Sequence, residues 1–445
     1  MKEPKNKNFG RCEMRSKGFL VLLIVSLLFV SYVMAKTTIT FFGQWADYEI
    51  AGITNAEGQV IYPGFQYYIN EYMKLHPDVE IKVRMVPFNE YLQDILVSHT
   101  SGNAADIYEV YTLWVPQLVN AGVLAEAPTD IASAVEKDFI PQAVGAITVN
   151  KKIYGIPSEY ADYALIYNKK LFAAAGYTEP PKTWNDLVTM AKHLTKYDPN
   201  GAISQYGFAF LTGWVSGIVH PYLSLLYSLG GSMFNDNNTK CLLNKELGVE
   251  ALNAELALFK EGATNSSGNF STYFPQNKVA MSIEAPWAVD TLRLAYGDEY
   301  DEYVGIAPIP PLGNKYASCA YSWAFAVDNA SKNKTAAWNF LKWFAIQLQS
   351  KTKTTRAGDL ETDVIYTIPP NKYDIENQPI LNSQLKVYVD QLENSVTEPI
   401  VMQGAQIETI LMNEIMAAWN NQKTAQQALD DAVAKIDPIL AQYYK

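Results

Sequence analysis

An acid set among phenols, Asp162 between Tyr160 and Tyr163, and an indole far from it in the chain, Trp287, are the residues whose types suggest chemistry first. Aromatic planes bury apolar ring faces, and a carboxylate accepts charge-assisted hydrogen bonds from hydroxyls. A sugar offers both surfaces. Trp45, Tyr111 and Trp114 join this set, because each lies just past a run that alternates like a strand. For each of these three, capping of a core is the competing reading. Asp162 has one too, as a residue holding backbone amides where the chain crosses between lobes.

Nothing in the sequence matches a G-x-S-x-G, H-E-x-x-H or phosphate-loop pattern. His76, His99, His193 and His220 lack metal-ligand spacing, so they read as packing or surface groups. No metal or cofactor is expected. With 46 acidic residues a carboxylate pair of glycosidase type stays open. A secreted glycoside hydrolase is therefore one alternative, and a binding protein for a peptide or polyamine is another.

The elements that must carry these residues alternate. Thr38–Phe42, Val79–Met85 and Ala105–Tyr111 read as strands, separated by helical stripes through Phe65, Tyr68, Ile69 and Tyr72 and through Phe88, Tyr91, Leu92 and Ile95. That order implies a parallel sheet with right-handed crossovers, and ligands of such sheets sit beyond the carboxyl ends of the strands. Further on, Tyr163–Asn168, Val279–Ile283 and Val304–Pro308 read as strands. Thr183 to Asp186 and Thr424 to Gln427 are capping boxes opening helices.

The first 35 residues have the layout of an export signal, with six basic residues, an apolar run from Phe19 to Val30 and small residues at Val33 and Ala35. The run is too short for a membrane-spanning helix, which needs ~20 residues; an uncleaved anchor is the competing reading. The expected mature chain begins near Lys36, in the periplasm or outside the cell, and has the length of two lobes. It retains a formal charge of about −15 once the leader's six basic and two acidic residues are set aside. An acidic chain without a basic tract is repelled by nucleic acid and by anionic membranes. Cys241 and Cys319 remain as a pair for which a disulfide is permitted but not required.

Four blocks in order carry a family resemblance. Lys152-Ile153-Tyr154-Gly155-Ile156-Pro157 with Leu165 to Phe172 is the first, and Ala175-Gly176-Tyr177 with Pro180 to Leu187 the second. Val279 to Trp287 is the third, and Gly305-Ile306-Ala307-Pro308-Ile309-Pro310 the fourth. The chain resembles the extracellular solute-binding proteins of sugar ABC importers, in the maltose-binding-protein class, over essentially its whole mature length. The resemblance implies an α/β, two-lobed periplasmic-binding-protein fold of type II, with a hinged ligand cleft between the lobes. It divides the chain into a first lobe at 36–158 plus 308–350 and a second at 159–307 plus 351–445. It implies a non-enzymatic, monomeric protein that captures a di- or oligosaccharide and delivers it to the permease subunits. On the family pattern Trp45, Tyr160, Asp162 and Trp287 contact the sugar, and Tyr321 and Trp323 fall in a turn facing the cleft. The acid often found near Tyr111 is here Glu109, read as pointing to the opposite strand face. Asp359-Leu360-Glu361-Thr362-Asp363 stands where the family sometimes has a basic ligand contact, so that contact is missing.

Overall fold

The computed structural model describes residues 36–55 and 57–445. The proposed export signal lies outside the described residues. Two sheets organise the chain. The first uses β1 (Thr37–Gly43), β2 (Val79–Met85), β3 (Ile107–Tyr111) and β4 (Ile156–Asp162). The second uses β5 (Ala164–Asn168), β6 (Met281–Glu284) and β7 (Val304–Ala307), after which β8 (Ser318–Val327) and β9 (Ser395–Thr397) return to the first.

In the first sheet β9, β8, β3, β1 and β2 lie side by side, and β4 also pairs with β8. The expected parallel arrangement holds for β1 with β2, from Thr37 opposite Val79 to Gly43 opposite Met85, and for β1 with β3. The sheet is nevertheless mixed. β8 enters from late in the chain and runs antiparallel to both β3 and β4. All ten of its residues are buried, and its two serines, Ser318 and Ser322, have their hydroxyls hydrogen-bonded to backbone groups. The second sheet is a three-stranded antiparallel unit with β5 in the middle.

Helices cover these sheets. α1 (Phe65–Leu75) buries Phe65, Tyr68, Ile69 and Tyr72, the stripe expected from spacing, and α2 (Phe88–Thr100) follows β2. α3 (Val215–Ser228) is apolar nearly all round and almost wholly buried, as such a helix must be. It carries Pro221 inside it, the residue that argues locally against a helix there. α4 (Pro286–Tyr296) begins on a proline at its first position, α5 (Lys334–Ala345) packs on β1, and α6 (Gly404–Trp419) and α7 (Ala425–Tyr443) pack together. Both capping boxes are made: the backbone N–H of Asp186 donates to Thr183 Oγ1 and that of Thr183 to Asp186 Oδ2, each at 3.1 Å. Thr424 and Gln427 repeat the pattern before α7.

The chain passes between sheets at Tyr163, between β4 and β5, and again between β7 and β8. Ser318 ties these crossings together: its hydroxyl accepts from the Tyr163 N–H and donates to the Tyr163 carbonyl, both at 2.7 Å. Residues 355–374, assigned from sequence to the second lobe, pack on the first instead. The Tyr160 N–H donates to the Ile368 carbonyl, the Ile140 N–H to the Pro370 carbonyl, and Phe139 bridges to Asn371. The reason is β4, which offers its free edge to this returning segment. Cys241 and Cys319 are both buried free thiols. Among the described residues no helix is long and apolar enough to cross a membrane.

Candidate functional site

One face of the first sheet forms the floor of an interlobe cavity of about 500 Å3, within the usual size of small-molecule sites. Pairing sets Trp323 opposite both Tyr111 and Glu159, and Phe325 opposite Glu109. Residues directly opposite, or two apart on one strand, share a face. Glu109, Tyr111, Glu159, Tyr321 and Trp323 therefore converge, and all five line the cavity. Trp45 and Glu49 join them from the turn after β1. The opposite wall comes from the second lobe: Tyr163, Trp214 ahead of α3, and the half-buried Trp287 in the first turn of α4. Glu361 and Ile365 enter from a widened helical turn, Glu361–Ile365, of a kind often found at functional sites.

The aromatic walls are packed against one another. Trp323 stacks on Tyr111 with centroids 5.2 Å apart and planes at 28°, and Trp214 meets Trp287 edge-on at 6.0 Å. Phe88 reaches across the lobes to Trp214 at 5.5 Å, and the Tyr48 hydroxyl lies 3.4 Å from Asp290 on α4. Contact across the mouth is thus already made.

Among the described residues four carboxyl groups line this space, and no Lys, Arg or His lines it with them. Burial pushes Glu49 up to about 7, with Asp290 and Glu159 adding to the rise. Burial also raises Glu159 to about 7, against hydrogen bonds donated by Thr367 and, at 2.6 Å, by the Tyr321 hydroxyl. Glu109 is held well above the carboxylate range by burial and then by the negative charge of Glu49 and Glu159. Glu361 is raised the same way, by burial and then by Glu159, Glu109 and Glu49.

Several sequence expectations change here. Glu109 was expected on the face opposite Tyr111; the two lie on the same face, as residues two apart on a strand must. Tyr160 and Asp162 do not line the cavity. They alternate with Glu159 and Ala161 along β4, and Tyr160 sends its hydroxyl to Thr397 at 2.8 Å. Asp162 is fully buried with neither carboxyl oxygen partnered, and burial raises its pKa well above the usual range. The acid β4 does present to the cavity is Glu159. Trp114 also stands behind the wall rather than in it, stacked on Phe88 at 5.6 Å and edge-on to Trp323 at 5.9 Å. Trp45, Glu109, Tyr111, Trp287, Tyr321 and Trp323 do line the cavity, together with Glu49, Glu159 and Glu361, which sequence reasoning missed. Strand alternation around Trp323 was the available signal for Glu159. Glu49 and Glu361 sit in turns whose direction periodicity does not encode.

Behind the floor, Tyr111 donates to Glu398 at 2.5 Å, and His220 Nε2 on α3 lies 3.1 Å from Glu398 and 3.3 Å from Glu408 on α6. These donor atoms all fall within 4.8 Å of one another, a spacing that fits a metal ion. Without an ion, Nε2 of His220 is shared between the two acids, while His220 Nδ1 and Glu398 Oε1 are buried without a partner. Burial pushes His220 down, but its hydrogen bonds to Glu398 and Glu408 outweigh that and raise it to about 9.

A larger hollow of about 710 Å3 lies against Thr37, Tyr72, Asn339 and Trp343 on the outer side of the first lobe. It touches that lobe alone and has no wall that closure could bring in.

The raised acids set a pH dependence. The folded protein keeps protons on Glu49, Glu159, Asp374 and Glu255 up to about 7 to 8, whereas an unfolded chain releases them near 4. Their contribution is whole below that lower value and is lost as pH rises through 7 to 8. The ligand-free protein is therefore expected to melt at a higher temperature at pH 5 than at pH 8.5, as followed by calorimetry at constant ionic strength.

The family described as bacterial extracellular solute-binding protein matches residues 55–345. A maltotriose-binding protein of Pyrococcus abyssi is 27% identical over 71% of this chain and 66% of its own length. A maltooligosaccharide ABC transporter solute-binding lipoprotein of Streptococcus pneumoniae R6 is 25% identical over 86% of this chain and 88% of its own. Among solved structures, the GacH receptor of Streptomyces glaucescens superposes with a TM-score of 0.77 at 22% identity, covering 92% of this chain and all of that one. The substrate-binding protein Lmo0181 of Listeria monocytogenes, solved with cycloalternan, gives 0.75 at 22% identity over 91% of this chain and 99% of its own.

Proposed function

The chain belongs to the bacterial extracellular solute-binding proteins, and we propose that it is the carbohydrate-binding component of an ABC importer. It captures a di- or oligosaccharide between its lobes outside the cytoplasm and presents it to the permease. The observation that carries the reading is the cavity itself: indole and phenol side chains on both lobes, with carboxyl acceptors between them. Ring faces and hydroxyl edges are the two surfaces such walls complement. Relatives named for maltotriose and maltooligosaccharide support it. Because the walls belong to two lobes joined through Tyr163 and Ser318, a ligand touching both favours the closed arrangement.

A titration of intrinsic tryptophan fluorescence with di- and trisaccharides is expected to show a saturable shift, since Trp45, Trp214, Trp287 and Trp323 all line the site. A panel in which peptides alone shift the signal would overturn the reading. The buried carboxyls favour one rival, glycoside hydrolysis, in which a raised acid protonates the leaving oxygen. Incubation with aryl glycosides and oligosaccharides decides between them: intact saccharide is expected, and released sugar would identify an enzyme.

A further inference from the structure

The acids of the cavity are not accounted for by neutral sugar alone. Tyr321 and Thr367 satisfy Glu159, and the Ala46 N–H and Tyr48 engage Glu49. Glu109 Oε2 and Glu361 Oε1 have no partner, although the two residues are only 3% and 1% exposed. A buried, unpaired carboxyl is costly, and several facing one space repel each other as they ionise. A sugar hydroxyl can fill a lone pair but leaves that repulsion in place. An ammonium group fills the lone pair and removes the repulsion as well. The aromatic lining adds to this, because the faces of Trp45, Tyr111, Trp287 and Trp323 attract a cation as well as an apolar ring.

We propose that the cleft selects saccharides bearing a protonated amine, which Glu109 and Glu361 receive. This rests on the carbohydrate reading above and narrows it to amino sugars. The lining as a whole supports it, since it holds four carboxyl side chains and no basic one. Burial and mutual repulsion raise both receiving acids, so a cation is the partner that lets them ionise in place.

Calorimetric titration at pH 7 with four probes tests it: the β-1,4-linked glucosamine disaccharide, cellobiose with hydroxyls in place of the amines, maltotriose, and spermidine. The glucosamine disaccharide is expected to bind at least tenfold more tightly than cellobiose. In E361Q, and independently in E109Q, that ratio is expected to fall about tenfold. Cellobiose or maltotriose binding as well as the amino sugar would overturn the inference and leave the carbohydrate reading standing. Spermidine binding with no saccharide bound would overturn the carbohydrate reading and this inference with it. No binding by either amine overturns the inference, as does an unchanged ratio in both variants.

Discussion

Replacing His220 with alanine is expected to destabilise the protein by about 3–5 kcal/mol, the cost of removing one partner from a buried charge cluster. The imidazole is fully buried, and among the described residues Glu398 and Glu408 form no ion pair with another cation. Without it two acids remain in a dry site with Tyr111 as the single further donor to Glu398. His220→Gln keeps a donor without charge and is expected to fall between. The pH dependence identifies the cause. His220 stays protonated in the folded protein to about 9, whereas its ordinary value is 6.5. Its contribution is complete below 6.5 and fades as pH rises through about 9. Chemical denaturation of the wild type should show that loss, and His220→Ala should lack it. Wild-type stability in His220→Ala would mean that the imidazolium contributes no net stabilisation at this site.

Trp287→Ala is expected to weaken saccharide binding by about 2 kcal/mol or more, the usual cost of truncating a central aromatic anchor. That is roughly a thirtyfold rise in Kd. Trp287 stands in the first turn of α4 and has a single aromatic neighbour, Trp214, so its removal strips the second-lobe wall while sparing the core. Asp162→Asn is the contrasting variant. Both carboxyl oxygens are buried, unpartnered and outside the cavity, so the amide is expected to leave affinity within about twofold. Equal losses in the two variants, measured by calorimetry, would return Asp162 to the cleft.

Much of the fold was legible because its cause is local. Alternation marked β1 and β2, helical spacing marked α1, and hydroxyl–acid pairs three apart marked two helix starts. The start of α3 was not legible, since Pro221 breaks the local pattern and burial on all sides restores it. The mixed character of the first sheet depends on β8, which pairs with strands more than 150 residues earlier. The site followed the same division. Trp45 and Tyr111 stand at strand ends and were readable from that, whereas Trp287 was readable from the family pattern. The acid on β4 was misassigned by three residues because motif matching chose Asp162, while register with Trp323 selects Glu159. Glu361 lies in the stretch that reads as a lost basic contact, and its direction comes from a π-type turn that no periodicity announces.

In the proposed binding mode one ligand is held by both lobes in the 500 Å3 cavity. A crystal structure with the tightest-binding saccharide of the panel tests it most directly. Sugar rings are expected against Trp287 and Trp323, with hydroxyl or amine groups on Glu109, Glu159 or Glu361. A saccharide seated instead in the outer hollow between Tyr72 and Trp343, or touching the first lobe alone, would contradict it.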